Sequence, residues 1–168
     1  MIKKLTLVLF ILLCLCGCKD GKVINDSAKE KYNDMVVLLN DHDNFAEASE
    51  FFDVSYDISK ISEGYRFYII IDNAKTAMYN VTAIAIEKGV DYSGNMAANI
   101  GIFEDHDYSL IPNQYNVEKG FVKGINISGI TDKPAPVLYL LVEWSNKSMS
   151  ITYREYIKIV MNRGTINE

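Results

Sequence analysis

The chain is poor in cysteine, histidine, tryptophan and basic charge, and it has no long apolar run. Its three cysteines, Cys14, Cys16 and Cys18, all precede Lys19. Everything beyond them therefore lacks a disulfide framework, a CxxC redox pair and, if Cys18 is consumed, any cysteine nucleophile. Lys and Arg number 17 against 22 Asp and Glu, a net charge of −5. That surplus of acid argues against nucleic acid or anionic headgroups as charge-driven partners. The most apolar stretch, Leu5 to Leu13, is interrupted only by Thr6. It falls short of the roughly 20 residues that a spanning helix needs. No Gly-x-Ser-x-Gly nucleophile elbow is present, and each histidine lies in a charged turn rather than where a strand presents it to a serine.

What stands at the start is an address. Lys3 and Lys4 precede the apolar stretch, and Lys19-Asp20-Gly21-Lys22 follows it as an abrupt polar break. A charged start, a short apolar centre and small residues before the break make a secretory signal peptide. Leu15-Cys16-Gly17-Cys18 closes it and resembles the bacterial lipobox: aliphatic, tolerant, Gly or Ala, then Cys. The resemblance implies thioether attachment of diacylglycerol to Cys18, cleavage before it and acylation (palmitate, for example) of the new amino terminus. Two or more acyl chains, at about 0.8 kcal/mol per buried CH₂, give stable anchoring where one would be marginal. The chain is thus expected to be lipid-anchored at the outer face of a bacterial cell membrane. Losing Lys3 and Lys4 with the signal takes the net charge from −5 to −7.

The expected division is a signal peptide over 1–17, the lipidated Cys18 and a tether over 18–26, an N-terminal helix over 27–44, a β-sandwich over 45–162 and a polar tail over 163–168. Ser27 and Glu30 fit a capping box, and Tyr32, Met35, Val36 and Leu39 form one apolar helical stripe. Phe45 to Phe51 has room for one more helical turn. From Phe52 the period changes to two: Phe52, Val54, Tyr56 and Ile58 alternate with polar residues, as in a half-buried strand. Tyr65 to Ile71 reads as a central strand apolar on both faces. Tyr79 to Glu87 sets Val81, Ala83 and Ala85 against Thr82, Ile84 and Ile86. A short strand over Ile100 to Phe103 follows, and Gly120 to Ile130 alternates Phe121, Lys123, Ile125 and Ile127 with Val122, Gly124, Asn126 and Ser128 as a further strand. Pro134 and Pro136 mark a turn that no paired central strand would run through. Val137 to Trp144 then directs Leu138, Leu140, Val142 and Trp144 one way, and Ile151, Tyr153, Ile157 and Ile159 line a last strand.

About seven strands with turns every ~8–12 residues and no alternating helices predict a mainly β fold. The expected architecture is an antiparallel immunoglobulin- or fibronectin-III-like sandwich preceded by one α-helix. A mature chain of this size buries about 68–70% of its unfolded surface and needs no staple. The runs Asp72 to Ala83, Asn99 to Phe103 and Gly120 to Gly124 resemble small uncharacterised lipoproteins of Gram-positive bacteria. That resemblance implies export and a sandwich domain and brings no active residues with it.

Candidate chemistry is sparse. The two histidines sit in Asp41-His42-Asp43 and Asp105-His106-Asp107, and neutral imidazole with carboxylates is a divalent-metal ligand set. Against this, Asp is common in turns for its own backbone bonding, and neighbouring residues of an extended segment point opposite ways. No cofactor is otherwise expected. Tyrosine is plentiful, with 11 residues against one Trp; exposed rings would stack on sugars. Tyr65, Tyr139 and Tyr153 are instead expected to pack in strands with their hydroxyls reaching water, and Trp144 to close the core. The expectation is a non-catalytic, membrane-anchored binding module with a protein or glycan partner at the cell surface. The alternatives are a metal-, solute- or glycan-binding accessory lipoprotein and, third, a hydrolase of envelope polymers. Changing Cys18→Ser should move the chain from the membrane to the soluble fraction and remove the diacylglyceryl mass; a variant still membrane-bound at unchanged mass would refute lipidation.

Overall fold

The computed structural model describes residues 26–92 and 94–162. The expected signal peptide, Cys18, nearly all of the tether and the tail lie outside the described residues. Helix α1 (Asp26–Asp41) comes first and is followed by seven strands. They are β1 (Asp53–Ile61), β2 (Gly64–Asp72), β3 (Tyr79–Ile86), β4 (Ala98–Ile100), β5 (Gly124–Thr131), β6 (Val137–Ser145) and β7 (Thr152–Val160), with a 3-10 turn at Val117–Lys119 before β5. The strands form two antiparallel sheets, one ordered β1-β2-β5 and the other β4-β3-β6-β7.

The sheets pack face to face on alternating residues. Phe67, Ile69 and Ile71 of β2 and Ile125 and Ile127 of β5 meet Ala83, Leu138, Leu140, Val142 and Trp144 of the larger sheet. The four-stranded sheet has a second apolar face, which α1 covers. Tyr32, Met35 and Leu39, spaced to fall on one side of a helix, pack with Ile84, Ile86 and Leu141. The hydroxyl of Tyr32 accepts a bond from the Ala97 amide at 2.7 Å, and Lys31 meets Glu143 at 3.3 Å. The molecule is therefore three layers: helix, four-stranded sheet, three-stranded sheet.

This arrangement decides which strands are apolar on both sides. Every residue of β3 from Val81 to Ile86 is buried, with Val81, Ala83 and Ala85 facing the partner sheet and Ile84 and Ile86 facing the helix. The expectation of two apolar faces for Tyr65 to Ile71 is corrected. The outer face of β2 is open, Arg66 is exposed and Ile70 is 40% exposed, because the one helix covers the other sheet. The short strand expected at Ile100 to Phe103 lies earlier and stops at Ile100, where Gly101 takes φ +76. A Cβ there would run into the Val81 carbonyl, so the residue that ends the strand is one that only glycine fits. The strand expected from Gly120 begins at Gly124, since Gly120 at φ +72 closes the 3-10 turn. The helix begins at Asp26 and ends at Asp41, short of residue 44, so Ser27 lies within its first turn.

No helical turn forms over Phe45 to Phe51. Instead Ala46 pairs with the outer edge of β7: its amide donates to Tyr156 O and its carbonyl accepts from Lys158 N, both at 2.9 Å. On the same edge the Tyr56 hydroxyl donates to Val160 O at 3.2 Å, linking β1 to β7 across the open side of the sandwich. The helix docking has a direct test. Leu39 is fully buried between helix and sheet, and Leu39→Ala should lower unfolding stability by about 2–5 kcal/mol in chemical denaturation.

Candidate functional site

Two ends of the sandwich differ in chemistry. At the end where β3 finishes, Glu87 is 8% exposed and both its oxygens accept hydrogen bonds. Thr131 Oγ1 and Lys133 Nζ each donate at 2.6 Å, and the Glu87 amide donates to the Tyr92 hydroxyl at 2.8 Å. The hydrogen bond to Glu87 holds the Lys133 ammonium above its ordinary pKa, while burial pushes Tyr92 up. With both oxygens engaged, the carboxylate ties β3 of one sheet to the β5–β6 turn of the other, a structural duty.

The opposite end carries an open groove of about 510 Å³. One wall is the β2–β3 loop, with Asn73, Ala74 and Lys75; the other is Leu110 to Tyr115, backed by Val122 and Lys123. The second wall belongs to a connection running from Gly101 to Lys123, far longer than the ~4–6 residues usual between elements. The connection is braced along its length. Leu110 and Met78 exchange two backbone bonds of 2.9 Å, and Tyr108 O accepts from Val81 N at 2.7 Å. Ser109 pairs with the Gly120–Val122 segment, and Asn116 exchanges two 2.9 Å bonds with Phe121. Asn116 also caps the 3-10 turn through its side chain.

The tip of that wall is set by its sequence. Ile111-Pro112-Asn113-Gln114 closes with Gln114 N donating to Ile111 O at 3.1 Å, and Asn113 takes φ +60. Proline second and a left-handed Asn third are the residues a type II turn asks for. Beyond it Tyr115 is 61% exposed, and Lys123 Nζ stands 5.4 Å from its ring centroid, within cation–π range. The facing wall is fixed by Asp53, which accepts from Asn73 Nδ2 at 2.6 Å and pairs with Lys75 Nζ at 2.9 Å. Those two partners, Asn73 first, hold the Asp53 carboxyl below its ordinary pKa of 3.8. The groove lining itself contains two lysines, three side-chain amides and one tyrosine, with no Asp or Glu.

The two Asp-His-Asp segments are not brought together. Asp41 ends α1, and the His42 ring stacks on Tyr156 at 3.7 Å, with Nε2 2.7 Å from Asn44 O. Asp43 points to solvent, 3.8 Å from Lys88, whose ammonium also donates to His42 O at 2.7 Å. His106 rests on Tyr108 at 4.7 Å, with Asp105 and Asp107 exposed. The first segment thus sits by Lys88, past the end of β3, and the second beside Val81, near its start. Among the described residues no three His, Cys, Asp or Glu are grouped to hold a metal ion. Of the strand tyrosines, Tyr139 is half-buried and meets Phe45 at 4.6 Å, Tyr65 is half-buried, and Tyr153 stacks on Trp144 at 5.6 Å but remains exposed. Trp144 is 3% exposed in the core. Tyr115 and Lys123 escape a sequence reading because nothing in a loop marks an exposed ring; the one available signal is the Pro112-Asn113 turn before it.

No family model matches the chain, and no curated protein or solved structure matches it either. Among the described residues no helix is long and apolar enough to cross a membrane. The groove wall has a pH signature. A depressed carboxyl pKa contributes stability that is present above the unfolded value and lost as pH falls through the folded one. In an acid titration followed by NMR, the Asn73 side-chain amide should therefore shift with a midpoint below 3.8, and Asp53→Asn should abolish that step.

Proposed function

We propose that the protein is an exported, lipid-anchored binding module whose sandwich offers the Asn73–Lys123 groove to a ligand at the cell surface. The anchor rests on the lipobox-like Leu15-Cys16-Gly17-Cys18. The strand orders β1-β2-β5 and β4-β3-β6-β7 favour a fibronectin-III-like member of the immunoglobulin-type sandwiches, in which loops at one end of a rigid scaffold carry recognition. The observation that carries the reading is the groove: a long connection held open by backbone pairing, with an exposed tyrosine and side-chain amides on its rim. Concave sites with an apolar floor and a few placed polar groups are the usual form of ligand sites. Leu110, Ile111, Pro112 and Val122 supply that floor.

The lining supplies two lysines, three side-chain amides and a tyrosine over an apolar floor, groups suited to binding. A glycan-binding accessory is the second reading, favoured by Tyr115. The test is a panel of envelope saccharides and peptides presented to the full chain in nonionic detergent. At least one should bind, and Tyr115→Ala should weaken it about tenfold or more, as loss of a stacked aromatic does. Binding indifferent to Tyr115→Ala, or turnover of any polymer in the panel, would overturn the reading.

A further inference from the structure

Resting on that reading of the groove, we propose that it selects an anionic saccharide: a sugar or polyol carrying a carboxylate or phosphate. The lining distributes its charge unevenly. Lys75 and Lys123 are its only charged residues, in a chain whose net charge is −5. Lys75 is neutralised by Asp53 at 2.9 Å. Lys123 makes no ion pair among the described residues and stands over the Tyr115 ring. The groove therefore keeps one uncompensated cation, held beside an exposed aromatic ring. An ammonium is a compact donor for carboxylate or phosphate oxygens, and the ring is suited to the apolar C–H face of a sugar.

The remaining polar groups fit the rest of such a ligand. Asn113 and Gln114 are exposed at the turn, and each amide offers both donors and acceptors, which is what pairs of hydroxyls require. Asn73 is engaged with Asp53, so the amides available to a ligand lie on the same wall as Tyr115. Ring, cation and amides thus converge on one side of the groove, while the other wall is held closed on itself by its own ion pair. Because the turn and its braces are already formed, little ordering is left to be done on binding.

The experiment titrates the full chain in nonionic detergent with four probes: a glucuronic-acid disaccharide, the matching glucose disaccharide, glycerol phosphate and glycerol. The anionic member of at least one pair should bind about tenfold or more tighter than its neutral counterpart, the scale of one charge-assisted hydrogen bond. The preference should fall with added salt. Lys123→Met should erase it, Tyr115→Ala should weaken the saccharides of both charge types, and Lys60→Met, on β1, should change nothing. Which pair responds assigns carboxylate or phosphate as the source of charge. Equal binding of charged and neutral probes, or a preference that survives Lys123→Met, overturns the anionic selectivity while leaving the groove as a binding site. Binding that is insensitive to both Tyr115→Ala and Lys123→Met overturns the site itself. Thermal melts of the variants, all at solvent-facing positions, separate lost binding from lost fold.

Discussion

The four-stranded sheet must be covered on both faces, and most of the architecture follows from that requirement. β3 contributes six consecutive buried residues, Val81 to Ile86, and no single neighbour can bury both sides of a strand. The three-stranded sheet takes one side and α1 takes the other. The helix is thus part of the domain rather than a stalk before it: Leu39 is as fully buried as Leu140. With the helix on the other sheet, the outer faces of β1, β2 and β5 stay open, where Ser55, Asp57, Arg66, Asn126 and Ser128 are exposed together with Ile70 and Ile130.

The two ends of this stack are held in different ways. At the end where β3 finishes, the Glu87 carboxylate joins the two sheets through Thr131 and Lys133, and its low exposure makes those bonds count. A buried carboxylate stripped of its partners is costly, so this end has little freedom to vary. At the other end the bonds that shape the groove are mainly backbone to backbone. They fix the position of the chain while leaving side chains such as Tyr115 and Gln114 exposed. Exposed side chains on such a scaffold can change with little effect on folding.

The strands whose faces meet the core were legible in the sequence. Leu138, Leu140, Val142 and Trp144 alternate with residues of another face, and they face one way in the fold. The α1 stripe at Tyr32, Met35 and Leu39 was equally plain. What periodicity does not encode is which sheet the helix covers. Tyr65 to Ile71 looks as apolar as β3, yet Ile70 stands 40% exposed. Strand limits failed where a glycine at positive φ intervened, at Gly101 and Gly120, since the local backbone overrides the side-chain pattern there. The groove was illegible for a different reason. Its walls come from Asn73–Lys75 and Leu110–Lys123, segments far apart in sequence that are brought together by the Met78–Leu110 and Asp72–Gly124 pairings.

The pairing of Ala46 with the rim of β7 covers an edge that would otherwise be open to other chains. An exposed strand edge offers unpaired amides and carbonyls to any other extended chain. Here the connector between α1 and β1 occupies the middle of that edge, bonding Tyr156 O and Lys158 N. The connector is held in place by the same docking that seats the helix, because His42 and Phe45, flanking its start, lie on Tyr156 and Tyr139. Departure of the helix would thus uncover an apolar sheet face and an adhesive strand edge in one event. One short stretch of chain thus both follows the docked helix and covers the strand edge.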